Sequence, residues 1–79
     1  MNEVKVLKMN TLNNMTVIDL KQEKYDKAIY RAGKSLELGI NVKALYRRAL
    51  AYMEINELDC AKADLDAARK EDPSNMSIR

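Results

Sequence analysis

The stretch from Asn41 to Pro73, NVKALYRRALAYMEINELDCAKADLDAARKEDP, decides the fold. Val42, Leu45, Tyr46, Ala49, Leu50 and Met53 recur at helical spacing, and Asn41 before them is a favoured N-cap, its side-chain oxygen able to accept from a first-turn amide. The spacing predicts a helix that starts after Asn41 and runs to about Ile55, with Asn56 as its stop. A second helix is predicted over about Leu58–Lys70, with Leu58, Ala61, Leu65 and Ala68 turned inward. Asp72-Pro73-Ser74-Asn75 ends it, because the residue before proline is driven out of the α region. Two helices joined by so short a connection must run antiparallel.

Upstream, the same reading gives two more helices. The first covers about Glu3–Lys21, with Val4, Leu7, Leu12, Met15 and Ile18 at roughly helical intervals. The second covers about Lys24–Leu38, with Tyr25, Ala28, Ile29, Ala32 and Leu36 on one face and Gly39 placed for a left-handed C-cap. No stretch alternates like a strand. The two halves also correspond. Leu12 matches Leu45 and Ala28 matches Ala61, each at the same offset (45 − 12 = 33; 61 − 28 = 33). A helical hairpin repeated at that period is a solenoid signal. The expected architecture is all-α: two helix-turn-helix units, residues 1–40 and 41–79, forming four antiparallel helices.

The second unit resembles the tetratricopeptide repeat. Leu45, Ala49, Tyr52, Ala61, Leu65, Ala68 and Pro73 fall where that pattern has large, small, aromatic, small, large, small and proline. The first unit departs from it: Asp19 stands where an aromatic is usual, and the Gly39-Ile40-Asn41 connection is one residue short and lacks a proline. More narrowly, Asn41-Val42-Lys43-Ala44-Leu45-Tyr46-Arg47-Arg48-Ala49 resembles the last repeat of the large immunophilins, the FKBP-type and cyclophilin-type prolyl isomerases with C-terminal tetratricopeptide domains. Leu12-Asn13-Asn14, followed by Leu20-Lys21 and Tyr25, resembles their middle repeat. The resemblance implies a fragment of a longer co-chaperone whose first repeat, catalytic domain and capping helix lie elsewhere. It also implies a cytoplasmic location, with the nucleus as an alternative.

In such repeats the first helix of each pair lines a concave groove. Lys43 and Arg47 are four apart and share a helix face. Asn14 is the position matching Arg47 in the first unit (47 − 14 = 33), and Lys21 lies two turns further along the same face. A carboxylate is served by such donors: a planar guanidinium fork, an ammonium point charge and a neutral amide. By resemblance, Lys43, Arg47 and Asn14 hold the terminal carboxylate and final Asp side chain of a heat-shock chaperone's Glu-Glu-Val-Asp tail, with Lys21 beside them. The family's Lys and Asn from its first repeat have no counterpart here, so a partial clamp is implied. The side chains of Lys43 and Arg47 are expected to point into solvent.

Composition bounds the alternatives. A chain of 79 residues with 33 % charged and 47 % hydrophobic residues is one small domain, too apolar for disorder. Its net charge is only +2, and its basic residues are interspersed with acids, so neither nucleic acid nor a membrane surface is demanded. The single Cys60 allows no internal disulfide, and the absence of histidine allows no Cys/His metal cluster. The residues before Asn10 form no apolar signal core, and no apolar run approaches a membrane helix. Without His, catalysis would fall to carboxylates, Lys or Tyr, and none stands in a recognisable constellation. No enzyme, cofactor or metal is expected. A scaffold that binds some other protein segment remains the competing reading. Asp64, Asp66, Glu71 and Asp72 are expected to form a solvated face, and Met9, Met15, Met53 and Met76 to fill packing gaps. Helix ends that lack neighbours, carrying Val4, Leu7, Leu58 and Leu65, predict self-association or low stability as a monomer.

Overall fold

The computed structural model describes residues 3–72. Four helices follow one another: α1 (Glu3–Lys21), α2 (Tyr25–Leu38), α3 (Val42–Glu54) and α4 (Leu58–Glu71). No strand occurs among the described residues. Packing joins α1 to α2, α2 to α3 and α3 to α4, with a smaller contact between α1 and α3. The architecture is the expected all-α pair of stacked hairpins, with the first helix of each hairpin adjoining the other. Pro73, Ser74, Asn75 and Met76 lie outside the described residues. The last assigned position is Asp72, whose amide still donates to Ala68 O at 3.0 Å.

The two hairpin turns are copies of each other. Glu23 (φ 61°) and Asn56 (φ 66°) both adopt the left-handed conformation, and they are 33 residues apart (56 − 23 = 33). Lys24 N donates to Asp19 O and Glu23 N to Leu20 O, at 2.8 and 3.1 Å; Glu57 N donates to Tyr52 O and Asn56 N to Met53 O, also at 2.8 and 3.1 Å. Each is a Schellman closure, in which two otherwise orphaned carbonyls of the first helix are satisfied. Asn tolerates this backbone region. Glu, with no local side-chain bond to offset it, adopts it at a cost on the order of 1 kcal/mol.

The link between hairpins works differently. Gly39 is extended (φ 169°, ψ 142°), so the left-handed cap expected there is absent; the Gly39 amide donates to Ser35 O at 3.2 Å. Asn41 takes over. Its Oδ1 accepts from Ala44 N at 2.9 Å as the N-cap of α3, and its Nδ2 donates to Gly39 O at 3.0 Å and Ser35 Oγ at 3.2 Å. One side chain thus starts α3 and holds it to the end of α2.

The core is built from small residues. Ala28 and Ala32 of α2, Ala44, Ala49 and Ala51 of α3, and Ala61 and Ala68 of α4 are buried, with Leu45 the large apolar side chain among them. Small side chains let helix axes approach closely, and full burial of Leu45 alone is worth about 1.5–3 kcal/mol. On α1 the buried face is Met9, Asn13, Thr16 and Asp19. Val4, Leu7 and Ile18, read from periodicity as its inward stripe, are more than half exposed, as is Leu58 of α4. An apolar cleft of about 430 Å³ opens along this outer flank of α1, lined by Val4, Leu7, Lys8, Thr11, Leu12 and Leu38.

Candidate functional site

The candidate face runs where α1 meets α3. Arg47 is half-buried there, and its Nη1 donates to Asn13 O on α1 at 3.3 Å. It therefore does not stand free in solvent as expected; it is partly spent on holding α3 to α1. The guanidinium retains further donors for a ligand. Lys43, one turn before it, is exposed.

The two adjacent asparagines divide the work. Asn13 is 5 % exposed and donates from Nδ2 to Asn41 Oδ1 at 3.2 Å. Asn14 is exposed, and its side chain makes no hydrogen bond with another described residue. The Arg47 contact at the Asn13 carbonyl brings Arg47 to the turn of α1 that carries Asn14. Lys21, the last residue of α1, is exposed two turns further on. Lys21 and Lys43 have no ion-pair partner among the described residues. Asn13 Oδ1 is buried with no hydrogen-bond partner, an acceptor left over beside Arg47 and Asn41.

Beyond Lys21 a cleft of about 250 Å³ is lined by Leu20, Tyr25, Leu50 and Glu54. Tyr25 donates its hydroxyl to Glu54 Oε1 at 3.4 Å. Desolvation, followed by the nearby carboxylates of Glu54 and Glu23, pushes this phenol above its ordinary pKa. The face thus offers cations and amides at one end and a small apolar recess at the other. Composition alone gave no hint of the recess, which Leu20 near the end of α1 and Leu50 in the latter half of α3 line together.

Two buried ion pairs escaped the sequence reading. Asp19, at the place usual for an aromatic, is buried and pairs with Arg31 of α2 at 3.2 Å. Asp64, expected on a solvated face, is buried and takes a two-pronged contact from Arg48 Nε and Nη2 at 2.8 and 2.7 Å. The charge demanded a partner once α3 and α4 packed. The hydrogen bonds to Asp64 hold the Arg48 guanidinium above its ordinary pKa against the opposing effect of desolvation. Arg48 also lies over the Tyr52 ring, 5.8 Å from its centroid. Among the described residues no group of His, Cys, Asp and Glu could hold a metal ion, and no helix is long and apolar enough to cross a membrane.

No family model matches the chain, and no solved structure matches it. Curated sequences do. The chain is 32 % identical over 80 aligned residues to peptidyl-prolyl cis-trans isomerase FKBP4 of Mus musculus, and equally to that of Rattus norvegicus, an alignment covering 100 % of the chain and 18 % of the relative. Identity to the Bos taurus FKBP4 is 31 % over 78 residues, covering 98 % of the chain and 17 % of that protein. The chain is thus similar along its whole length to a segment of FKBP4, and it spans less than a fifth of the curated relatives it matches.

Proposed function

We propose that the chain is a protein-interaction module of a co-chaperone, and that its α1–α3 face captures the acidic C-terminal tail of a heat-shock chaperone through Lys43, Arg47 and Asn14, with Lys21 alongside. The observation that supports this reading is the Arg47 contact to Asn13 O at 3.3 Å, which ties α3 to the turn of α1 whose sequence carries the exposed Asn14, with Lys43 one turn before Arg47. Lys43 contributes a point charge, Arg47 its remaining donors and Asn14 an amide. The recess at Leu20, Tyr25 and Leu50 suits an apolar side chain of the same tail. Similarity to FKBP4 over the entire chain supports a co-chaperone setting, in the cytoplasm or nucleus. Isomerase activity, named for those relatives as whole proteins, is assigned to none of these residues. Because the face offers two cations and one amide at its capturing end, weak binding is predicted, with Kd on the order of 0.1–1 mM, equivalent to about 4–5.5 kcal/mol.

The test is calorimetric titration of a peptide ending in Glu-Glu-Val-Asp. Lys43→Ala is expected to weaken binding by about 1.5–3 kcal/mol, the range for a hydrogen bond to a charged group, with an unchanged melting curve. Arg47→Ala is expected to weaken binding comparably and also to lower stability slightly, since it removes the bond to α1. Wild-type affinity in both variants would refute the reading and leave a scaffold for some other protein segment.

A further inference from the structure

The two buried ion pairs are built in opposite senses. In the first hairpin the acid is on the first helix and the base on the second: Asp19 of α1 with Arg31 of α2. In the second hairpin the base is on the first helix and the acid on the second: Arg48 of α3 with Asp64 of α4. Arg31 and Asp64 hold the same repeat position (64 − 31 = 33) yet carry opposite charge. Both acids are almost fully buried, Asp19 at 3 % and Asp64 at 5 % exposure.

We propose that this reversal is a pairing code that fixes which second helix each first helix accepts. Within a chain the short turns already join α1 to α2 and α3 to α4, but between copies the second helices are alike: the turns leading into them share one backbone form, and Ala28 of α2 and Ala61 of α4 are buried at matching positions. Small apolar faces of this sort carry little information about partner choice. The charges supply it. Were α1 to take α4, Asp19 would face Asp64, two buried carboxylates with no cation. Were α3 to take α2, Arg48 would face Arg31. Each wrong pairing brings like charges together and strips two buried charges of their partners, so discrimination comes from the repulsive element as much as from the attractive one. Gly33 of α2 lies beside Arg48, with Arg48 Nη1 3.7 Å from where a Cβ would stand, so Arg48 borders α2 even in the correct fold. The separation of its charge from Arg31 therefore matters locally as well. The code leaves exchange of like helices between copies untouched and bars exchange of unlike ones.

A double variant isolates the code from the mere presence of a salt bridge. Arg48→Asp with Asp64→Arg keeps an ion pair in the second hairpin but gives it the sense of the first. Both wrong pairings then become complementary: Asp19 with the new base, and Arg31 with the new acid. Cys60 is the single cysteine and is exposed on α4, so donor- and acceptor-labelled batches of the full chain can be unfolded together and co-refolded. Energy transfer between copies is then compared with that of batches mixed after folding. The wild type, in which only like helices can exchange, is expected to show little excess transfer after co-refolding. The double variant is expected to melt cooperatively yet show several-fold more transfer after co-refolding. Wild-type behaviour of a cooperatively folding double variant would overturn the proposal. Should that variant not fold, Arg48→Met with Asp64→Leu removes the charges of the second hairpin in favour of apolar packing. It too must give excess transfer after co-refolding, and its absence would equally overturn the proposal.

Discussion

The two hairpins share a backbone plan and differ in what they bury. The second closes over Ala44, Leu45, Ala49, Ala51, Ala61 and Ala68, with one short ion pair set among them. The first closes over Asn13, Thr16, Asp19 and Ser35, alongside Met9, Ala28 and Ala32. Its ion pair is longer, at 3.2–3.4 Å against 2.7–2.8 Å. Its turn uses a left-handed Glu23 where the second uses Asn56. Thr16 satisfies itself by donating to Leu12 O at 2.8 Å, and Asn13 leans on Asn41. A repeat can therefore keep its geometry while its interior turns polar, with most of the buried polar groups partnered and Asn13 Oδ1 left over. The consequence is energetic: the first hairpin gains less from apolar burial and depends on the second to cover it.

That contrast can be broken by substitution. The largest effect is expected from Arg48→Ala, which strands the buried Asp64 and should cost about 3 kcal/mol in urea unfolding. That is a large share of the roughly 5 kcal/mol available to so small a domain. Arg31→Ala strands Asp19 but breaks the longer contact, so a smaller loss is expected; a loss exceeding that of Arg48→Ala would reverse the ranking of the hairpins. Next, Glu23→Asn gives the first turn the residue of the second. It should raise stability by about 0.5 kcal/mol by relieving the left-handed strain. A loss on the same melt would mean the Glu23 side chain does something its geometry does not reveal. Smallest is Tyr25→Phe. The bond to Glu54 is long and exposed, so removing it should change stability by less than about 0.5 kcal/mol.

The same contrast explains what the sequence disclosed. On α2, α3 and α4 the residues read as inward are buried or half-buried, Met53 and Leu58 excepted, and the Asn41 cap marks where α3 begins. Those elements were legible within a residue or two. On α1 the periodic residues Val4, Leu7 and Ile18 face outward while Asn13, Thr16 and Asp19 face in, so periodicity found the helix and chose the wrong side. Position 33 residues from Arg47 pointed to Asn14, and Asn14 is the exposed one of the asparagine pair. The part played by Asn13 as a buried tie, and the burial of Asp64, depend on cross-helix partners that no local pattern encodes. The extended Gly39 was missed for a related reason: the link is set by Asn41, which ties Ser35 Oγ and Gly39 O to the start of α3.

The central functional claim is that a free carboxylate is what the α1–α3 face recognises. The most direct measurement is paired calorimetric titration of this chain with a Glu-Glu-Val-Asp peptide bearing either a free C-terminus or an amide. Amidation deletes the charge shared by Lys43 and Arg47, so affinity should fall by about 1.5–3 kcal/mol. The free-acid binding should also weaken as salt rises, because part of the attraction is screened Coulomb energy. Equal affinity for the two peptides would contradict carboxylate capture.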